Sequence, residues 1–303
     1  MATETDAVDG RTESANTVSR FDRWLDEETS PRRALAVYAV LGVFMLFLLL
    51  PVVYMVLATF TNRSFLYSSA LIPSLSDLTL ANYVNVLSTG AFQRYFVNST
   101  IIASATTVLT LTVGTLAGYS LSRFEYPGRD SLLLAFLGTQ MLPYVLILIP
   151  FFLLMFTLGL INSHLGIIIA HSVIATPLAI WLLKGYFDDI PESLDEAAKM
   201  DGCSQLDILV RVVLPLSLPG LAVAGFYTFT ISWNDFLLVS ALSQTGATRT
   251  LPFGLQLFQS QNQVAWHLVL TAATITMVPV IVLFAAVQQW VVKGLASGGM
   301  KGA

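Results

Sequence analysis

The stretch GYFDDIPESLDEAAKMDGCSQLDILVRVVLP, from Gly185 to Pro215, reads as a helix, a sharp turn and a second helix set between two apolar blocks. Pro191 interrupts the chain ahead of the first helix, since proline has no N–H to give and fixes its own φ. Ser193 with Glu196, and Ser204 with Asp207, each match a capping box. In that motif the hydroxyl accepts from a free N–H of the first turn, and the acid accepts from the cap N–H. Gly202 can take the positive φ that ends a helix, and Pro215 closes the second helix where the next apolar block begins. Seven acids (Asp188, Asp189, Glu192, Asp195, Glu196, Asp201 and Asp207) keep this hairpin in water. Ala197 and Ala198 are small enough to let another surface approach the backbone, and helix propensity alone would also favour them.

Outward from the hairpin the chain is apolar. Of 303 residues 55% are hydrophobic and 11% charged, with a mean hydropathy of +0.72. A soluble domain carries roughly 25% charged residues, so a water-soluble enzyme is excluded. The net charge of -4 argues against nucleic acid. Cys203 is the one cysteine, which excludes an internal disulfide and a multi-cysteine metal site. His164 and His171 lack flanking acids and do not have the spacing of a metal pair.

A hydrocarbon core about 30 Å thick needs roughly 20 apolar residues of helix. Charge-free stretches run from Ala34 to Asn62, between Arg94 and Arg123, and between Asp130 and Lys184. The third is long enough for two crossings and divides at Gly159-Leu160-Ile161-Asn162-Ser163-His164, giving spans near 132–157 and 164–184. A block from about Leu216 to Leu242 holds a single acid, Asp235, and the last runs from about His267 to Val292. The fold class is therefore an all-α integral membrane protein of six helices, with the hairpin between helices 4 and 5. Cytoplasmic loops retain Lys and Arg. With the N-terminus inside, 12 of the basic residues considered lie on the inner side and 3 (Arg63, Arg94 and Arg249) on the outer, so both termini are expected in the cytoplasm.

The chain then divides into an acidic N-terminal tail over 1–33, read as mobile from its polar composition, a first transmembrane helix over 34–60 and an extracellular loop over 61–95. A five-helix core over 96–293 carries the loop 185–215, and a cytoplasmic tail follows over 294–303. Phe65, Tyr67, Tyr83 and Phe92 of the outer loop suit the membrane interface, where aromatic rings are enriched, or the docking of an external partner. Gly114 and Gly118 have the spacing of a close helix–helix contact.

Two polar features lie inside the apolar blocks. Asp235 costs roughly 2.5–3.5 kcal/mol to place at the centre of a span. With Trp233 and Asn234 it offers hydrogen bonds and a stacking ring to a solute, or it sits at the outer helix end and caps or pairs there. Gln140 stands near Pro143, which frees a carbonyl one turn earlier and kinks its helix. It is a second candidate for a polar pathway, or an interhelical hydrogen bonder.

The spacing Glu196-Ala197-Ala198, three residues, Gly202, nine residues, then Val212-Val213-Leu214-Pro215 resembles the EAA loop of ABC-importer permeases, with Val212 in place of isoleucine. From about Phe96 to Ala303 the chain is similar to the maltose-type second permease subunits. The similarity is carried by Met141-Leu142-Pro143 through Pro150, Ile161-Asn162-Ser163, Lys184-Gly185-Tyr186-Phe187, Trp233-Asn234-Asp235-Phe236 and the ending from Val292 to Gly302.

The resemblance implies that the hairpin is a coupling helix seated on an ATP-binding subunit. Glu196, Ala197, Ala198, Asp201 and Gly202 would lie at or near the contact, and Leu214 and Pro215 would close the motif. It also implies that Ser297, Gly298, Gly299 and Lys301 of the tail reach the ATPase. The implied partners are two ATP-binding cassette subunits, a second permease, an external binding protein and its sugar. No G-x-x-x-x-G-K-[ST] occurs, so this chain has no P-loop of its own. ATP and magnesium are expected on the partner, no cofactor on this chain, and no catalysis by it. A glycerol-phosphate or another polar solute is the alternative cargo. An ion-coupled secondary transporter, with Asp235 as coupling acid, is the alternative mechanism, though such proteins usually show internal repeats and none is visible here.

Overall fold

The computed structural model describes residues 31–67, 73–259 and 264–299. The N-terminal tail up to residue 30 and Lys301 lie outside them. Among the described residues every regular element is helical, and extended chain pairs only at two isolated bridges, Thr61 with Leu78 and Gln259 with Val264. Among the described residues, those up to Leu57 and those from Ala58 onward form separate compact units.

The first unit holds most of α1 (Pro31–Thr59), a helix apolar on all sides. In the second, α2 (Arg63–Leu66) and α3 (Ala81–Ser88) precede α4 (Gly90–Arg123). Then come α5 (Arg129–Thr139), α6 (Tyr144–Thr157), α7 (His164–Asp188) and α8 (Glu192–Met200). They are followed by α9 (Gln205–Leu216), α10 (Leu218–Asn234), α11 (Leu237–Leu242), α12 (Leu251–Gly254) and α13 (Trp266–Gly299).

Among the described residues four helices are long and apolar enough to cross a membrane: Leu35–Thr59, Gly90–Arg123, His164–Asp188 and Trp266–Trp290. Two bent pairs bring the count to six if each is one crossing: α5 with α6 at 97° and α9 with α10 at 82°. The span expected near 132–157 is therefore not one rod. Pro143 cannot donate into a helix and disfavours α geometry in the residue before it, so α5 ends at Thr139 and α6 starts afresh at Tyr144. The α9–α10 bend falls at Ser217, between Pro215 and Pro219. A turn of π-helix, Leu209–Val213, precedes Pro215, which has no N–H to return to the Arg211 carbonyl.

The block expected to run unbroken to Leu242 also divides. The helix α10 stops at Asn234, and Asp235 lies outside it in extended conformation (φ -69, ψ 126), ahead of α11. At the centre, α4 packs closely on α7 through small residues. A Cβ on Gly118 would stand 3.3 Å from the Lys184 N and 3.4 Å from the Ile180 O, and one on Gly114 would stand 3.3 Å from Leu183 Cδ1.

The loop after α1 is locally folded. The Asn82 amide is buried and donates to the carbonyls of Thr59 and Thr61, at 2.9 and 2.8 Å. Two of the four aromatics expected at the membrane interface are instead core: Phe92 packs with Trp233 and Leu251, and Phe65 is buried. Tyr83 shares a hydrogen bond with the Thr59 hydroxyl, and Tyr67, which remains exposed, donates to the Val264 carbonyl.

Candidate functional site

The α8–α9 hairpin is held at its turn by local hydrogen bonds. Gly202 has φ +82, a conformation that costs a side chain about 1–2 kcal/mol. Its N–H donates to Lys199 O, and the Cys203 N–H donates to Ala198 O, both at 3.0 Å. These are the two bonds of a Schellman motif. The second helix opens with the expected capping box: Asp207 N donates to Ser204 Oγ and Ser204 N to Asp207 Oδ2, both at 3.2 Å.

The first box, expected at Ser193 and Glu196, does not form. The helix begins earlier, at Glu192 with Pro191 as cap residue, which places Ser193 inside the first turn. Glu192 and Asp195 supply negative charge there, which favours a helix N-terminus.

The hairpin has two faces. Ala198, Ile208, Leu209 and Val213 pack on Tyr119 of α4 and on Leu183 and Phe187 of α7, with Leu214 at the edge of that cluster. Glu196, Ala197, Asp201, Gly202 and Pro215 point away and are exposed. Apolar Leu194, Met200 and Leu206 are exposed too, Met200 at 89%. The two adjacent alanines thus look in different directions, Ala198 into this chain's core and Ala197 out of it.

A polar cluster lies at the break before α11. Asp235 Oδ1 accepts from the N–H groups of Leu238 and Val239, at 3.0 and 3.1 Å, and so caps α11. Its Oδ2 accepts from the Tyr144 hydroxyl at 2.6 Å, and His171 Nε2 stands 3.4 Å from Oδ1. His171, buried on α7, reaches Ser232 Oγ with Nδ1 at 2.8 Å. His171 has no motif around it to mark it in the sequence.

The other pathway candidates are separated. Trp233 is 1% exposed: its ring stacks on Phe229 at 5.3 Å, meets Phe96 edge-on at 6.0 Å, and its Nε1 donates to Thr276 O at 3.1 Å. It therefore belongs to the core and presents no open stacking face. Asn234 is exposed beside a cavity of about 160 Å³. Gln140 caps α5 at the Pro143 break, and its amide donates to Ile174 O at 2.9 Å. It lines a cavity of about 760 Å³ between α4, α5, α6 and α7 whose walls, Leu109, Phe136, Phe151 and Val173 among them, are chiefly apolar. At the C-terminus, α13 runs on through Ser297 and Gly298 to Gly299.

Residues 110–297, which include the hairpin and both helix breaks, match the binding-protein-dependent transport system inner membrane components. The chain belongs to that family. Family members similar to it include the trehalose/maltose transport system permease protein MalG of Thermococcus litoralis, 33% identical over 91% of this chain and 99% of that one. The maltodextrin transport system permease protein MdxG of Bacillus subtilis is 34% identical over 74% of this chain and 81% of that one. The fold is shared with a chain of a bacterial ABC transporter involved in the import of the acidic polysaccharide alginate. There the TM-score is 0.75 at 23% identity, covering 87% of this chain and 98% of the other.

Proposed function

We propose that this chain is one of two permease subunits of an ATP-driven importer, forming half of the pathway for a sugar delivered by an external binding protein. The observation that carries the reading is the hairpin: its inner face is packed on α4 and α7, while Glu196, Ala197 and Met200 stand exposed on the other side. That exposed face is the surface on which an ATP-binding cassette subunit docks, with Asp201 and Gly202 at the turn. Ala198 and Leu214 hold the hairpin from within this chain, and Pro215 stands exposed just before the bend that ends its second helix. Ser297, Gly298, Gly299 and Lys301 form a second contact to the ATPases. ATP and magnesium are held by those subunits, so this chain is not the enzyme. Both termini face the cytoplasm of a cell whose cytoplasmic membrane the chain crosses several times. Asn234 and Gln140 are the pathway candidates that keep an exposed position. The cargo class is supported by the names of relatives at 33 and 34% identity.

The test is affinity purification of the tagged protein in mild detergent with an ATPase assay on what accompanies it. An ATPase and a second permease are expected to co-purify, and Gly202→Trp or Glu196→Ala to weaken the ATPase's attachment. A chain that emerges alone, with no ATPase activity, would overturn the proposal.

A further inference from the structure

Asp195 directly precedes Glu196-Ala197-Ala198 but faces the opposite way from Glu196: it is 4% exposed, while Glu196 lies in the open. Its Oδ2 accepts from Arg123 Nε at 2.7 Å, and the two side chains are each 6% exposed. Arg123 is the last residue of α4. Its Nη2 donates to Ile190 O at 2.9 Å and its Nη1 to Ser122 Oγ at 3.3 Å. One guanidinium thus grips the start of α8 on both sides, by the carbonyl just before it and by a carboxylate in its first turn. One turn back on the same face of α4, the Tyr119 hydroxyl donates to Gln205 Oε1 at 3.2 Å, at the start of α9. Ser122 in turn donates to Asp188 Oδ1 at 2.7 Å, at the end of α7.

A buried ion pair is a poor source of net stability, because desolvation offsets its attraction. What a planar guanidinium adds is direction, since its donors lie in a fixed fork. The apolar contacts around it are non-directional and do not fix one orientation between the two helices as an aimed fork does. We propose that Arg123 is a positioning residue that carries displacement of the hairpin into α4. Held by Arg123, α8 cannot shift without taking the inner end of α4 with it. This rests on the reading that the hairpin couples an ATPase to the pathway. It adds the point at which the motion enters the membrane helices: the end of α4, to which the hairpin is fastened by charge as well as by packing.

The experiment uses the full complex purified through this chain, with Cys203→Ser and spin labels at Ser193→Cys, exposed in the first turn of α8 and outside the proposed ATPase contact, and at Val97→Cys near the start of α4. Electron–electron distance measurements are made without nucleotide and with ATP and vanadate. In the otherwise native chain the distance is expected to be narrow and the same in both states, because hairpin and helix move together. Arg123→Lys keeps the buried charge paired but loses the fork, and Asp195→Asn keeps the shape but loses the charge. In each, the nucleotide-bound distance is expected to shift or spread on the scale of one helical turn, about 5 Å, with the ATPase still attached. The inference is overturned if both variants keep the native distance in both states, if the native distance itself changes with nucleotide, or if the variants simply lose the ATPase. Absence of an ATPase from the native preparation is a different result, which removes the proposed function and this inference with it.

Discussion

The Tyr144 hydroxyl and the Asp235 carboxylate, 91 residues apart in sequence, meet at 2.6 Å. Tyr144 opens α6 just past the Pro143 break, and Asp235 stands in the break between α10 and α11. One hydrogen bond therefore ties two interrupted helices at their interruptions. The same carboxylate caps α11 and lies beside His171 of α7. A helix break that is buried in protein needs partners for its freed polar groups. Asp235 is one such partner.

Removing Tyr144's hydroxyl should be felt as stability. A hydrogen bond to a charged group is worth about 1.5–3 kcal/mol, so Tyr144→Phe is expected to lower the thermal midpoint in detergent. Asp235→Leu should lower it further, because it also strips the acceptor from Leu238 and Val239. Equal midpoints for the two variants would show that the cap contributes nothing.

The glycines separate backbone need from spatial need. A Cβ on Gly202 would meet nothing within 4 Å, yet its φ is +82. Gly202→Ala should then cost about 1–2 kcal/mol from the left-handed backbone alone, and Gly202→Asn less. At Gly166 a Cβ would collide with the backbone carbonyl of Leu160, so Gly166→Ala should sharply reduce folded yield. Gly42→Ala, in open space within α1, should be neutral or stabilising by up to about 1 kcal/mol. Midpoints and size-exclusion profiles of the four variants check the order.

Two ion pairs beside the α8–α9 hairpin should differ greatly in weight. Lys184 and Asp188 are an i, i+4 pair at 2.7 Å, with side chains 18% and 42% exposed. Lys184→Ala should change stability by no more than about 0.5 kcal/mol. Arg123→Ala leaves the Asp195 carboxylate buried and uncompensated, which should cost about 3–5 kcal/mol. Denaturation of the solubilised protein measures both.

Acid should loosen the loop after α1 in a defined window. Hydrogen bonds from Ser74, through its hydroxyl and backbone N–H, hold the Asp77 carboxyl below the usual carboxylate range, with a smaller contribution from Asn62. Because the folded value is the lower one, these bonds are fully present above the ordinary aspartate range and are lost as pH falls through the depressed value. Ser74→Ala should move that loss to higher pH. Amide exchange of residues 74–78, corrected for the intrinsic pH dependence, reads the shift; an unchanged profile in the variant would refute it.

What could be read in the sequence is what depends on near neighbours. Gly202 as a left-handed stop, Ser204 with Asp207 as a cap, and Pro143 as a break all work within one turn of chain. Composition was equally direct, since lipid demands long apolar helices whatever packs against them. Ser193 with Glu196 shows the limit of such rules: the residues fit a capping box, but Pro191 starts the helix sooner. Trp233 shows another, because an aromatic ring beside an acid looks the same whether it faces a cavity or the core.

The amino-acid sequence by itself determined the helical membrane architecture, the hairpin and its turn, because periodicity, charge and caps act locally. Only the tertiary structure decided which side chains meet: Arg123 with Asp195 across 72 residues, Tyr144 with Asp235 across 91, and His171 beside that same carboxylate. The physical reason is that burial makes a polar group seek a partner but does not say which. Close packing of α4 on α7 and the bends at 140–143, 217 and 235 bring one acceptor within reach of one donor, and that choice is three-dimensional.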